Sequence, residues 1–348
     1  IYHYGNPGDI GTSGLDDAAS WQEVVNPAGR DKTSLERDIL IMNPTKGLGS
    51  SMSLLADKTG KDEDHTDGKV ATEAIKLLEA HKDKPFFLAV GFVRPHVPFV
   101  APKAYFAPFL PYEKLALPPK VAGDWDDIPK AGINYKTSVN MKMDIRRQKK
   151  ALGGYYACVA YMDAQVGKVL AALEKSGQAD NTIVIFTSDH GYHLGEHDFW
   201  AKVSLRDESS RVPLIIRVPG KQPAVCDSLI ELLDLYPTVA SLCGLAVPAR
   251  LQGKNIAPMF DNPRHRVRET AFSVAPSSKG FLLRDDRWAY IHYNEDASSG
   301  IELFDVVKDP QQFTNLATQP EFAGVVTGFK ATLAAKLRAV RDNDLQRE

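Results

Sequence analysis

The chain has 348 residues, 43% of them hydrophobic and 25% charged, enough to bury one large core and carry a smaller second unit. Forty-two basic against forty-four acidic residues leave a net charge of -2. That balance excludes a global field recruiting nucleic acid or a membrane surface, so an anionic ligand has to be read locally. No apolar run approaches the roughly 20 residues a membrane helix needs, and Cys158, Cys226 and Cys243 read as small core residues rather than a disulfide framework.

Residues 1–60 are rich in Gly, Asp and Ser and read as an irregular excursion over a surface; no signal peptide opens the chain. From Asp67 a helix is expected, with Val70, Ala74, Leu77 and Leu78 on one stripe and Lys82 and Lys84 closing its far end. Residues 86–92 form a continuous apolar run, read as a buried strand, which ends in Arg94-Pro-His-Val-Pro-Phe99. Prolines on both sides of His96 hold that imidazole on a stiff loop. A Pro-rich, mostly loop stretch runs to about Asn140. A long helix follows, with Tyr156, Val159, Ala160, Asp163, Val166, Val169, Leu170 and Leu173 toward its inner face and Gly177 as its stop.

That helix leads into Thr182-Ile-Val-Ile-Phe-Thr-Ser-Asp-His-Gly191, whose unbroken apolar run is what a parallel strand covered on both faces looks like. The strand delivers Asp189 and His190 to its carboxyl end, where open α/β sheets place their chemistry. Asp189 offers a hard anionic oxygen, His190 a neutral nitrogen, and Gly191 lets the backbone turn away so that both can face one divalent cation. An isolated Asp-His pair also fits a helix cap beside a core histidine; six further polar or ionisable residues in the next dozen positions favour a site. His193 and His197 have the i, i+4 spacing of a zinc pair without the usual helical Glu placement, and read as loop scaffolding or substrate contacts. Glu196 reads as a hydrogen-bond partner of a ligand rather than an acid.

A third strand is expected over residues 212–218 and a helix over 232–242. Near Arg264 the texture turns antiparallel: residues 281–284 and 287–293 read as a hairpin, 302–306 as a strand and 322–340 as a closing helix. The expected fold class is α/β, a mostly parallel central sheet with helices on both faces, plus a small C-terminal α+β subdomain with an antiparallel sheet. The expected boundary lies between residues 1–263 and 264–348.

Taken in order, Lys84-Pro-Phe-Phe-Leu-Ala-Val-Gly-Phe with Arg-Pro-His-Val-Pro-Phe99, Tyr161-Met-Asp-Ala-Gln-Val-Gly167, Thr187-Ser-Asp-His-Gly191, Gly195-Glu-His197 with Trp200-Ala-Lys202, Asp234-Leu-Tyr-Pro-Thr238 and Glu302-Leu-Phe-Asp-Val306 with Asp309-Pro and Asn315-Leu-Ala317 carry a resemblance. The chain resembles sulfatases of the alkaline phosphatase superfamily, in the iduronate-2-sulfatase-like branch. Such enzymes carry Cys-x-Pro-Ser-Arg or Ser-x-Pro-Ser-Arg, whose first residue becomes formylglycine, and an upstream pair of metal-binding aspartates; this sequence holds neither the motif nor a serine version of it. Its opening Ile1-Tyr-His-Tyr-Gly is similar to the family's Gly-Lys-x-x-His-x-Gly with the first two residues removed. The expectation is therefore a truncated or cleaved polypeptide whose nucleophile and remaining metal ligands lie upstream, inactive by itself.

The resemblance implies a divalent metal on Asp189 and His190, catalytic roles for His96 and Lys202 in binding sulfate and protonating the leaving oxygen, and for His3 in eliminating sulfate. It implies calcium (Ca2+) as the cofactor, although a histidine ligand leaves magnesium or manganese open on chemistry alone. It further implies a sulfated carbohydrate as substrate, 2-O-sulfated uronate in that branch, a formylglycine-generating enzyme as maturation partner, and an extracytoplasmic, periplasmic or secreted location. Arg94, Arg206 and Arg211 lie near the site loops and are candidates for reading a sugar carboxylate, alongside His193 and His197. Two rival functions remain at this stage: a phosphoesterase on the same fold, and a non-catalytic glycan-binding fragment.

Overall fold

The computed structural model describes residues 9–14, 16–33, 35, 40, 51–134, 136–275 and 280–341. The chain divides into two compact units, Ile1–Pro118 with Thr137–Thr182, and Pro119–Lys136 with Ile183–Glu348.

In the first unit a short helix α1 (Arg30–Thr33) precedes strand β1 (Leu54–Asp57), helix α2 (Thr66–Ala80), strand β2 (Phe99–Pro102) and the long helix α3 (Ile145–Lys175). β1 and β2 pair in parallel, from Leu54 opposite Phe99 to Asp57 opposite Pro102. Helix α2 buries Asp67, Ala71, Ala74 and Leu78, a stripe at i, i+4, i+7 and i+11. Asp144 caps α3 by accepting a 2.8 Å hydrogen bond from the Arg147 amide, and Gly177, at φ +74°, follows its end.

The buried face of α3 is rotated from the expected one. It consists of Gln148, Ala151, Leu152, Gly153, Gly154, Ala157, Cys158, Tyr161, Gln165 and, as expected, Leu173, while Tyr156 and Leu170 are exposed. Close approach decides this: a β-carbon on Gly153 would lie 2.5 Å from the Tyr112 ring, and one on Gly154 3.2 Å from the Phe99 β-carbon. The small residues let the helix lie against its neighbours, so bulk does not mark the inner face.

The strand expected over residues 86–92 does not form. That run joins no ladder among the described residues, and Phe87 is 72% exposed with its ring 5.9 Å from Trp21. An apolar run states a need for cover, but pairing requires a second strand in register. The strand of this stretch is β2, just after the His96 loop.

The second unit contains β3 (Val184–Thr187), β4 (His193–Leu194), β5 (Trp200–Ala201), helix α4 (Asp207–Ser210), β6 (Leu214–Arg217) and helix α5 (Leu235–Leu242). It continues with β7 (Ala271–Ala275), β8 (Gly280–Arg284), β9 (Trp288–Tyr293), β10 (Ile301–Asp305) and helix α6 (Ala323–Arg341). Strand β3 pairs with β6, antiparallel rather than parallel, and its four residues are half-buried. Apolar continuity predicts cover but not ladder direction, since either direction satisfies the backbone groups.

The C-terminal antiparallel sheet is formed as expected, in the order β10-β9-β8-β7; β7, which carries Ser273 among mixed neighbours, gave no clear signal. Helix α6 packs Val326, Phe329, Leu333 and Leu337 against Leu283, Tyr290 and Leu303. Of the cysteines, Cys158 is buried, whereas Cys226 and Cys243 are exposed, correcting their reading as core residues; all three are free thiols. No helix of the described residues is long and apolar enough to cross a membrane.

Leu333 is fully buried at the centre of the α6 contact. Leu333→Ala should cost about 2–5 kcal/mol in urea unfolding, the range for a buried leucine leaving a cavity.

Candidate active site

His96 follows directly from a buried clamp. Asp67, in the first turn of α2, accepts hydrogen bonds from the amides of Val93 (2.8 Å) and Arg94 (2.9 Å). The Arg94 guanidinium then closes the loop from inside, donating to the carbonyls of His96 (2.8 Å) and Pro98 (3.0 Å) and to Asp31 Oδ2 (2.7 Å). Asp31 in turn accepts from the amide and hydroxyl of Thr66 at 2.8 Å each. Burial raises the Asp31 carboxyl, but Arg94 and Thr66 outweigh it and hold the group below its usual value. Every part of this clamp lies within the first unit.

Arg94 is therefore a structural hub, which corrects its expected role as a substrate contact. It is buried, and its guanidinium is spent on the protein's own oxygens. The half-buried His96 ring is set by a 2.8 Å hydrogen bond from Nδ1 to the Val97 carbonyl, so Nε2 is the atom that gains or loses the proton. Asp67 and Asp31 escaped sequence reading. The one available signal was an acidic residue in a first helical turn, which ordinarily reads as a cap.

In the second unit Asp189 and His190 follow β3 as expected. His190 Nδ1 donates to the Gly191 carbonyl at 2.8 Å, and its Nε2 lies 3.5 Å from Asp189 Oδ2. A fixed tautomer beside a solvent-facing carboxylate is a donor set suited to a divalent cation. Among the described residues no group of three or more His, Cys, Asp or Glu side chains could hold one. Gly191 is required for space: a β-carbon there would lie 2.0 Å from the Glu208 carbonyl oxygen, and its amide donates to the Ser209 carbonyl at 2.8 Å.

The β4–β5 hairpin pairs His193 with Ala201 and Leu194 with Trp200. Its turn is unusual, since the non-glycine residues His197 and Asp198 have positive φ, 56° and 59°, and Ala201 in β5 has φ +69°. Such conformations cost energy and persist only where surrounding contacts over-determine them. Here Glu196 accepts from the Leu194 amide at 2.6 Å, Trp125 donates to the His197 carbonyl at 2.7 Å, and the His197 ring contacts Asp124 through Nδ1 at 3.0 Å. The result is that Lys202, half-buried, leaves the hairpin directly after a left-handed Ala201 and a fully buried Trp200.

His193 and His197 are both buried, which corrects their reading as substrate contacts and supports the alternative of loop scaffolding. Burial first, then the charges of His197 and Arg206, hold the His193 imidazole well below its usual value, so it is neutral. Arg206 is likewise structural: it donates to Glu302 Oε2 at 2.6 Å and to the Gln312 carbonyl at 2.8 Å, and lies over the Phe304 ring. Arg211 is exposed at the end of α4. His3 lies outside the described residues.

Comparison with known proteins shows the family. Residues 14–245 match the sulfatase family, and residues 195–340 match the N-sulphoglucosamine sulphohydrolase C-terminal family. The chain belongs to the sulfatase family. It is 34% identical to a sulfatase of Formosa agariphila over 77% of this chain and 53% of that protein. It is 38% identical to the iduronate 2-sulfatase of Mus musculus over 53% of this chain and 41% of that protein. A phosphonate monoester hydrolase from Silicibacter pomeroyi has a similar structure, with a TM-score of 0.74 and 22% identity over 88% of this chain and 68% of that one, and so shares the α/β fold. The chain spans about half the length of the curated relatives it matches.

Burial pushes the Asp67 carboxyl up to about 6, against the pull of Arg94 and the two amides. In the folded protein it therefore keeps a proton that the unfolded chain has lost, so its contribution to stability declines as pH rises from about 4 to about 6. Asp67→Asn removes this titration and leaves one amide without its acceptor. Across that window the stability difference in urea should move in the variant's favour, and then stay level above about pH 7. A difference independent of pH would return Asp67 to the ordinary carboxylate range.

Proposed function

We propose that this chain forms part of a sulfuric ester hydrolase acting on sulfate monoesters. The observation that carries this reading is the Asp189–His190 pair, with the imidazole tautomer fixed for a metal, in a chain of the sulfatase family. Asp189 and His190 would hold one side of a divalent cation, calcium on the strength of the family resemblance. When bound, that ion would supply positive charge beside a sulfate oxygen. In the second unit Lys202 binds a sulfate oxygen; for His96 of the first unit, its ring fixed through Nδ1, the family resemblance supports the role of proton donor to a leaving alcohol. The clamp through Arg94 and Asp67 keeps that ring in place at no cost to the reacting step.

The nucleophile in this proposal is a formylglycine, made by a formylglycine-generating enzyme from a Cys-x-Pro-Ser-Arg or Ser-x-Pro-Ser-Arg segment that the present sequence does not contain. The chain by itself is then inactive. The substrate proposed is a sulfated carbohydrate with 2-O-sulfated uronate, supported by the 38% identity to an iduronate 2-sulfatase, and the site of action is extracytoplasmic. A phosphoesterase is the second reading, favoured by the fold-level likeness to a phosphonate monoester hydrolase. Turnover of phosphate or phosphonate esters in preference to sulfate esters would establish it.

In protein that carries the formylglycine segment, His96→Ala should lower turnover of a sugar sulfate by on the order of 10²-fold, the usual worth of a general acid. Aryl sulfates should lose less, because a phenolate leaves with little protonation. Equal losses would restrict His96 to binding sulfate, and an unchanged rate would remove it from the reaction.

A further inference from the structure

In the sulfatase reading, on which this inference rests, Asp189 and His190 are metal ligands, and a chain of hydrogen bonds leads from them to the C-terminal sheet of the same unit. It begins at the His190 ring, whose Nδ1 donates to the Gly191 carbonyl at 2.8 Å. Gly191 is fixed in turn by α4: its amide donates to the Ser209 carbonyl at 2.8 Å, and the Glu208 carbonyl oxygen fills the space a β-carbon would need. Helix α4 has four residues, and a single turn does not hold itself in place. Its Ser209 and Ser210 amides hang from the Arg206 carbonyl, at 3.0 and 2.9 Å, so the turn goes where Arg206 goes. Arg206 is buried, and its guanidinium donates to the Gln312 carbonyl at 2.8 Å and to Glu302 Oε2 on β10 at 2.6 Å. The Asp207 amide donates to Gln312 Oε1 at 3.2 Å.

Gln312 is the joint of this arrangement. It is 1% exposed although polar, and its φ of +59° is a conformation that a residue with a side chain keeps only when surrounding contacts enforce it. Both its carbonyl and its side-chain oxygen serve the residues that start α4. A methionine of similar length would fill the space without desolvating an amide. What the glutamine adds is an acceptor for the Asp207 amide.

We propose that Gln312, with Arg206, is a positioning residue for the two metal ligands. Gln312 and Arg206 fix α4, and α4 fixes Gly191. The Gly191 carbonyl, which can only accept, then holds the His190 proton on Nδ1 and leaves Nε2 as the ring atom offered to the cation. The C-terminal sheet thereby acts on the metal site through α4.

The test uses the full 348-residue chain, isotope-labelled and with no metal added. Gln312→Met removes the acceptor and keeps the length, and Arg206→Lys replaces the fork of donors by one ammonium. In each, the Gly191 amide should exchange with deuterium roughly tenfold or more faster, the weight of one lost hydrogen bond. The ring nitrogen shifts of His190 at about pH 8, above the ordinary imidazole range, should show part of the population carrying its proton on Nε2. Gln312→Glu, which keeps an acceptor oxygen, should restore both readings. The amides of β9, a strand paired on both sides, are the control and should exchange as in the parent. Unchanged Gly191 exchange and His190 shifts in both variants would overturn the proposal. So would equal losses at Gly191 and β9, which would reduce Gln312 and Arg206 to general stability. In protein that carries the formylglycine segment, the calcium needed for half-maximal turnover should rise several-fold in Gln312→Met; a loss confined to turnover at saturating calcium would also overturn the proposal. The sulfatase reading fails by a different measurement, the absence of sulfate ester turnover in the parent protein that carries that segment.

Discussion

The buried Arg94–Asp31 ion pair is the constraint on which the first unit depends. A charge pair out of water is tolerated only when nearly every donor and acceptor is used. Arg94 uses both terminal nitrogens in this way, spanning the turn that carries His96, although its buried Nε has no partner, and Asp31 holds the start of α2 through Thr66. Asp67, one residue on, fixes the amides at the head of the same turn. The parallel β1–β2 pair and the close-packed α3 provide the cover that makes this burial possible. The imidazole is therefore positioned by electrostatics inside the protein and not by the prolines alone.

The second unit repeats the device with different residues. Arg206 pairs with Glu302, which also accepts from the Tyr293 hydroxyl at 2.6 Å, so the segment following Lys202 is anchored to β9 and β10. His193, His197 and Trp200 fill the interior beneath the β4–β5 hairpin, and the left-handed residues of its turn are held by Glu196, Trp125 and Asp124. A motif dense in ionisable residues thus divides sharply. Asp189 is exposed and Lys202 half-buried, while their buried neighbours hold the hairpin in place.

That division explains why charged residues near a strand end were poor guides to substrate contact. Arginine suits carboxylate recognition and buried ion pairing for the same reason, its planar fork of donors. Composition and spacing cannot tell the two uses apart. Burial can, and it assigned Arg94 and Arg206 to structure.

The sequence by itself determined the helices α2 and α3, the C-terminal hairpin of β8 and β9, the closing α6, the family, and the Asp189–His190 pair with its glycine. These follow from local periodicity, capping and residue chemistry, which are written within a few residues of each other. Only the tertiary structure decided that residues 86–92 form no ladder, that β3 runs antiparallel to β6, and that the buried face of α3 is set by Gly153 and Gly154. Tertiary packing also decided that Asp67, distant in sequence from the residues it positions, holds the His96 turn. The physical reason is that strand pairing, close approach and buried hydrogen bonding depend on groups far apart along the chain, whose meeting no local pattern records.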